Sequence, residues 1–194
     1  MSGWVDAMLD TRRMQLGKIP LDFSRVDLVQ LAWMTAQELQ QTTRLHRISV
    51  VASGPLPSAI RGDPARLRQV LTNVLENALK YTPGGVIQVL LGVQQGSHTA
   101  IVCVQDEGPG LDKGDLDRIF GQFEQAERPS SGLGLGLYLS REIARLHGGD
   151  LWAESRGPGK GCTFILALPM LAASACVPTN SSTSRDSRRR IHSA

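Results

Sequence analysis

Asparagine is an uncommon choice in mid-helix, yet N-V-L-E-N-A-L-K-Y-T at 73–82 holds two of them, Asn73 and Asn77. A separation of four places both amides on one helix face, where their oxygens suit a Mg²⁺ ion already held by phosphates, with the Lys80 cation nearby. An exposed Glu76–Lys80 pair with merely solvated asparagines is the alternative. A second stretch, S-G-L-G-L-G-L-Y-L-S at 131–140, alternates Gly132, Gly134 and Gly136 with Leu133, Leu135 and Leu137. The period of two suggests a strand, but a strand with one bare face packs poorly. At the entrance of a helix the same glycines leave N–H groups open to an anion and let phosphate oxygens come close. A close helix-packing face would also explain them.

Two further motifs could share a ligand with these. D-E-G-P-G at 106–110 stands where a strand opens into a loop. An Asp106 carboxylate there can accept a hydrogen bond from an adenine amino group, while Gly108 and Gly110 let the ring lie against backbone. In I-F-G-Q-F at 119–123, Phe120 and Phe123 can anchor a loop that covers a nucleotide, or serve as plain apolar packing. Other chemistries are less well supplied. No G-x-x-x-x-G-K-[ST] occurs, which excludes a P-loop. Cys103, Cys162 and Cys176 are far apart and form no C-x-x-C, so they read as free thiols. His46, His98, His147 and His192 are equally scattered and have no metal-ligand spacing.

Elements to carry these groups follow from periodicity and punctuation. Val5 to Leu16 has helical spacing, L-D-F-S at 21–24 is extended, and Val26 to Leu45 is an amphipathic helix with Leu28, Leu31, Ala32, Thr35, Leu39 and Thr42 on its stripe. R-I-S-V-V-A at 47–52 and S-A-I-R-G at 58–62 read as strands. Asp63 as N-cap and Pro64 at the first position open the clearest helix, whose stripe is Leu67, Val70, Leu71, Val74, Leu75, Ala78 and Leu79. Strands at 86–93 and 99–106 are joined by a hairpin, and 107–131 forms a long loop with a helical stretch around Leu116 to Phe120. A helix over Tyr138 to His147 and strands D-L-W-A-E-S and C-T-F-I-L-A-L-P complete the body. Blocks of strands and helices without regular β-α-β alternation give the fold class α+β, a mixed sheet with helices on one face.

The formal net charge of +3 raises a nucleic-acid partner until it is located: Arg185, Arg188, Arg189 and Arg190 against Asp186 account for all of it. The body is neutral, and the Ser/Thr-rich 170–194 reads as a disordered basic tail. No apolar stretch approaches the roughly 20 residues that a bilayer requires, and the start carries no export signal, so a cytoplasmic setting is expected.

Taken in order, the motifs resemble the ATP-binding catalytic domain of bacterial sensor histidine kinases, in the superfamily that includes gyrase, Hsp90 and MutL. Residues 20–169 carry the resemblance: the N box at 73–82, the G1 box at 106–110, the F box at 119–123, the G2 box at 132–137, and a weaker glycine motif in G-K-G-C-T-F at 159–164. Residues 1–18 are similar to the end of the family's second dimerisation helix and its linker. The resemblance implies a two-layer α/β sandwich, with a mixed sheet backed by three helices. It implies ATP and Mg²⁺ as cofactors, with Asn77 as the metal ligand and Asn73 as a second candidate. It also implies Asn73 and Lys80 toward the phosphates and Tyr81 alongside the nucleotide. Asp106 holds the adenine amino group on this view, and Gly108 and Gly110 face the base. Phe120 and Phe123 anchor the lid, Gly132, Leu133, Gly134, Leu135 and Gly136 form its phosphate side, and Thr163 supports the adenine end.

Some family features are missing. The phosphoacceptor box, a histidine followed by an acidic residue and then a basic residue and proline, is absent, so no complete phosphotransfer site stands in this sequence. Gln125 occupies the position of a lid arginine found in some relatives, with Arg128 as a possible substitute. The expected function is therefore a two-component kinase catalytic domain. It would be monomeric as a fragment, acting on a histidine-bearing dimerisation domain and, through it, on a response regulator. A hydrolytic clamp, a serine kinase of the anti-sigma type and a non-catalytic nucleotide-binding module are the alternatives. Hydrolytic relatives tend to place a glutamate base where Asn73 stands.

Overall fold

The computed structural model describes residues 20–52, 54–57, 59–124 and 134–171. The expected helix at Val5–Leu16 lies outside them, as do Gly132, Leu133, Gln125, Arg128 and the tail from 172 onward. In chain order the elements are β1 (Ser24–Val26), α1 (Leu28–Gln40), β2 (His46–Ala52), β3 (Ile60–Gly62), α2 (Pro64–Tyr81), β4 (Gly85–Val93), β5 (Thr99–Gln105), the one-turn α3 (Asp115–Arg118), α4 (Gly136–Leu146), β6 (Asp150–Glu154) and β7 (Thr163–Pro169).

Five strands form one sheet in the order β2-β4-β5-β7-β6. Only β2 and β4 run parallel, and the other neighbours are antiparallel. The sheet is mixed and the fold is α+β, as the block order of the sequence implies. Strand side chains alternate between faces. Ile87, Val89 and Leu91, then Ala100, Val102 and Val104, then Phe164, Leu166 and Leu168 all join one core with the helices. That core receives Leu67, Val70, Leu71, Val74, Leu75 and Ala78 from α2, and Leu139, Ile143 and Ala144 from α4.

Helix α2 forms as its punctuation dictates. The Asp63 carboxylate accepts from the N–H groups of Ala65 and Arg66, and Pro64 occupies the first turn, where a missing N–H costs nothing. Helix α1 is shorter than its periodicity suggests. Asp27 caps it by accepting from the Gln30 N–H, which leaves Val26 to β1, and it stops at Gln40 instead of Leu45. Gln40 has a better use for its amide than a further helical turn. Its Nε2 donates to the His46 carbonyl at 2.9 Å and its Oε1 accepts from the Ile48 N–H at 2.7 Å, which satisfies the free edge of β2.

A two-stranded ladder of β1 and β3 stands apart from the sheet. In it Ile60 faces Val26, and Ile60 also bridges to Met170, while the Leu171 N–H bonds to the Ala59 carbonyl. Residues 24–26 and 170–171 thus meet at β3.

Candidate functional site

Asp106 follows directly on β5 and is buried. Its Oδ1 accepts N–H bonds from Gly108 at 2.8 Å and Cys162 at 3.2 Å, while its own N–H donates to the Cys162 carbonyl at 2.9 Å. Burial pushes this carboxyl above its ordinary value, against the opposing pull of the Gly108 and Cys162 N–H groups. One oxygen is thereby committed to backbone, and Oδ2 has no hydrogen bond among the described residues. Cys162 shares the dry environment. Burial, and then the Asp106 charge, push its thiol up to about 12, partly opposed by the Thr163 N–H. Burial, and then the Glu154 charge, also raise Cys103, so the surroundings of both described cysteines disfavour the thiolate.

Glycines here serve close approach in two different ways. A Cβ on Gly108 would stand 2.8 Å from Asp106 Oδ1 and 3.4 Å from both Thr82 Oγ1 and the Tyr81 carbonyl oxygen. The end of α2 and the Asp106 loop therefore converge at that point. Gly110, with φ +70°, is spent otherwise: a Cβ there would come 2.2 Å from the Gly157 carbonyl oxygen. Its bare backbone seals one loop against another and does not face open space. Ser155 ties the same corner, donating to the Gly161 carbonyl at 2.7 Å and accepting from the Leu111 N–H at 3.1 Å. Thr163 begins β7 opposite Gln105, one residue before Asp106, and is half-buried.

On α2, the Asn73 amide nitrogen donates to the Gly136 carbonyl at 3.3 Å and to Ser140 Oγ at 3.1 Å. Asn77 Nδ2 donates to the Asn73 carbonyl at 2.9 Å. Neither amide oxygen accepts a hydrogen bond from a described residue. Two neutral oxygens thus remain on one helix face. Lys80 Nζ lies 5.3 Å from the centre of the Tyr81 ring, a cation–π distance.

The two phenylalanines of 119–123 part company. Phe120 is in the core, edge-on to Phe164 at 6.5 Å and capped by the Arg141 guanidinium at 5.0 Å. Arg141 is itself held by Asp150 at 3.2 Å. Phe123 is 61% exposed and has φ +60°, a left-handed conformation that costs a non-glycine residue about 1–2 kcal/mol. Gly134 meets it, since a Cβ there would stand 2.9 Å from the Phe123 carbonyl carbon and 2.6 Å from the Glu124 carbonyl oxygen. Leu135 is buried beside it. The start of α4 is therefore brought against both the 119–123 segment and Asn73.

Spacing alone does not single out Ser140 or Thr82. Thr82 Oγ1 is a buried hydroxyl without a hydrogen-bond partner, beside Asp106 and Gly108. Ser140 reads as one more position on an apolar helix. Two of the histidines have structural bonds: His46 to Thr43 Oγ1 and the Thr82 carbonyl, and His147 to two backbone groups.

Comparison with known proteins adds a family to this geometry. Residues 62–172 match the family described as histidine kinase-, DNA gyrase B-, and HSP90-like ATPase. The circadian input-output histidine kinase CikA of Synechococcus elongatus is 35% identical over 173 residues, covering 85% of this chain and 22% of that protein. Sensor protein TorS of Escherichia coli is 40% identical over 132 residues, covering 68% of this chain and 14% of that protein. The chain thus spans 14 to 22% of the length of these two relatives. Among solved structures, full-length ShkA in complex with AMPPNP superposes with a TM-score of 0.78 at 29% identity, covering 89% of this chain and 36% of that one. The mycobacterial sensor histidine kinase MprB gives 0.68 at 25% identity, covering 77% of this chain and 98% of that one.

Proposed function

The chain belongs to the histidine kinase-, DNA gyrase B-, and HSP90-like ATPase family, with sensor histidine kinases as its relatives, and from that premise we propose that residues 19–169 bind Mg-ATP and present its γ-phosphoryl group to a histidine on a separate dimerisation domain. The observation that carries this reading is a set of acceptor oxygens left without hydrogen bonds among the described residues: one carboxylate oxygen of the buried Asp106, beside Gly108 where the end of α2 approaches, and the amide oxygens of Asn73 and Asn77 on α2 itself.

In this reading Asp106 Oδ2 accepts the adenine 6-amino proton, which a guanine carbonyl cannot offer. The partner of that hydrogen bond is desolvated beforehand, so the contact discriminates strongly. Gly108 leaves room for the ring, Thr163 supports the adenine end, and Tyr81 and Lys80 flank the nucleotide. The Asn77 oxygen, with the Asn73 oxygen beside it, would hold Mg²⁺. These are neutral hard donors that suit a metal drawing its other ligands from phosphate and water. When bound, the ion neutralises charge on the transferring phosphoryl group. Lid residues Gly132 to Gly136, anchored through Phe120 and Phe123, would close over the phosphates and exclude water. The protein's contribution is then positioning and charge complementarity.

The acceptor histidine and the response regulator lie beyond this domain in the proposed scheme, and the reaction takes place in the cytoplasm. No helix among the described residues is long and apolar enough to cross a membrane. Incubation with γ-labelled ATP, Mg²⁺ and a histidine hairpin from a related kinase tests the proposal. Acid-labile, base-stable label on the hairpin is expected, whereas free phosphate released without labelled protein would replace phosphotransfer with hydrolysis.

A further inference from the structure

We propose that Ser140 is a positioning residue, fixing which end of the Asn73 side chain faces the metal. The inference rests on the Mg-ATP reading above. Ser140 is 0% exposed in the middle of α4, and its Oγ accepts from Asn73 Nδ2 at 3.1 Å. The Gly136 carbonyl accepts from the same nitrogen at 3.3 Å. Residues four apart on a helix stand one above the other, so these two acceptors are stacked on the side of α4 that faces α2. A primary amide has two N–H hydrogens and so matches both.

The pairing has a direction. Turned by half a rotation, the amide would set its oxygen against the Gly136 carbonyl oxygen, which has no hydrogen to give. The Gly136 carbonyl therefore sets the direction, Ser140 Oγ holds the second N–H so that the amide stays in it, and Oδ1 is left outward. Asn77 is likewise fixed through its nitrogen, by its bond to the Asn73 carbonyl, which leaves its oxygen also without a partner among the described residues. With Ser140 replaced by alanine, one N–H loses its acceptor and the amide is held by the carbonyl alone. A group of this kind, acting through a ligand and not touching the metal, commonly contributes about tenfold or more to metal affinity.

The test measures nucleotide affinity against Mg²⁺ concentration for the parent and S140A, with an arm in excess chelator. S140A should need about tenfold more Mg²⁺ for half-maximal ATP binding, with metal-free binding within about twofold of the parent. An unchanged Mg²⁺ requirement overturns the proposal. So does equal weakening with and without metal, which would mark a general loss of packing. Should the parent bind no nucleotide at all, the functional reading fails. Solvent exchange of the Asn73 side-chain amide protons in the metal-free protein then decides this inference alone: faster exchange in S140A supports it, and identical exchange overturns it.

Discussion

Nε2 of His147, at the end of α4, accepts a 2.9 Å hydrogen bond from the backbone N–H of Asp63, at the head of α2. Its Nδ1–H donates to the Ile143 carbonyl at 2.7 Å, so both nitrogens of the buried ring are used. Gly62 makes room for it, since a Cβ there would stand 3.0 Å from the imidazole. Ten residues farther along α2, about 15 Å at the helical rise, Asn73 joins α4 again through Gly136 and Ser140. Two fastenings hold the helices in a fixed relation, one at the head of α2 and one at Asn73.

His147→Phe keeps the volume and removes the acceptor, leaving a buried N–H without a partner. A loss of about 1–3 kcal/mol is expected, read as a lower urea midpoint with an unchanged slope. A midpoint equal to that of the parent would show that the hydrogen bond contributes nothing.

Asp63 predicts an acid limb in the stability profile. Burial pushes its carboxyl up, but N–H bonds from Asp22, Arg66 and Ala65, with the Arg66 charge, outweigh that and hold it below its ordinary 3.8. The folded state therefore binds this proton less readily than the unfolded chain. The contribution is complete above about pH 4 and is lost as pH falls through the folded value. Urea unfolding from pH 6 down to 3 should show a shallower decline for Asp63→Asn than for the parent. Parallel declines would assign the acid limb to other carboxylates.

Asp106→Asn separates stability from binding. The raised value of the parent carboxyl means that its ionised form costs folding free energy, a penalty absent at low pH that grows as pH rises through and above 3.8. Asparagine can still accept from the Gly108 and Cys162 N–H groups, so at neutral pH the variant should be at least as stable as the parent. If Asp106 receives the adenine amino group as proposed, ATP affinity should fall about tenfold or more, because an NH₂ then replaces the acceptor. Calorimetric titration combined with thermal melting measures both. A less stable variant with unchanged affinity would contradict the assignment.

Gly134→Ala and Gly136→Ala should fail in different ways. At Gly134 a Cβ meets the Glu124 carbonyl oxygen at 2.6 Å under a φ of +67°, so the contact between 123–124 and α4 must open and the melting temperature must fall. At Gly136 the nearest atom is Asn73 Cγ at 3.7 Å, an ordinary contact in a helical conformation. Alanine there should hold or raise stability by up to about 1 kcal/mol. If the phosphates approach that backbone, ATP affinity still drops. Undiminished affinity in a stable Gly136→Ala protein would place the phosphates elsewhere.

What could be read from the sequence divides along physical lines. Helix α2 was legible because cap, proline and stripe are all local, whereas the setting of Asp106 was not, because the Cys162 N–H that holds its carboxylate is remote in the chain. The end of α1 was hidden, since Gln40 stops the helix by bonding to a strand that local periodicity does not reveal. Gly110 could be read only as bare backbone, and what it lies against depends on Gly157, which is remote in the chain. Ser140 carried no signal at all. A serine among Leu139, Ile143 and Ala144 becomes meaningful only once Asn73 stands against it.

Strand β3 has only three residues, yet Ile60 holds Val26 on one side and Met170 on the other. Three lengths of chain far apart in sequence, around residues 26, 60 and 170, are thus riveted side by side at a single isoleucine.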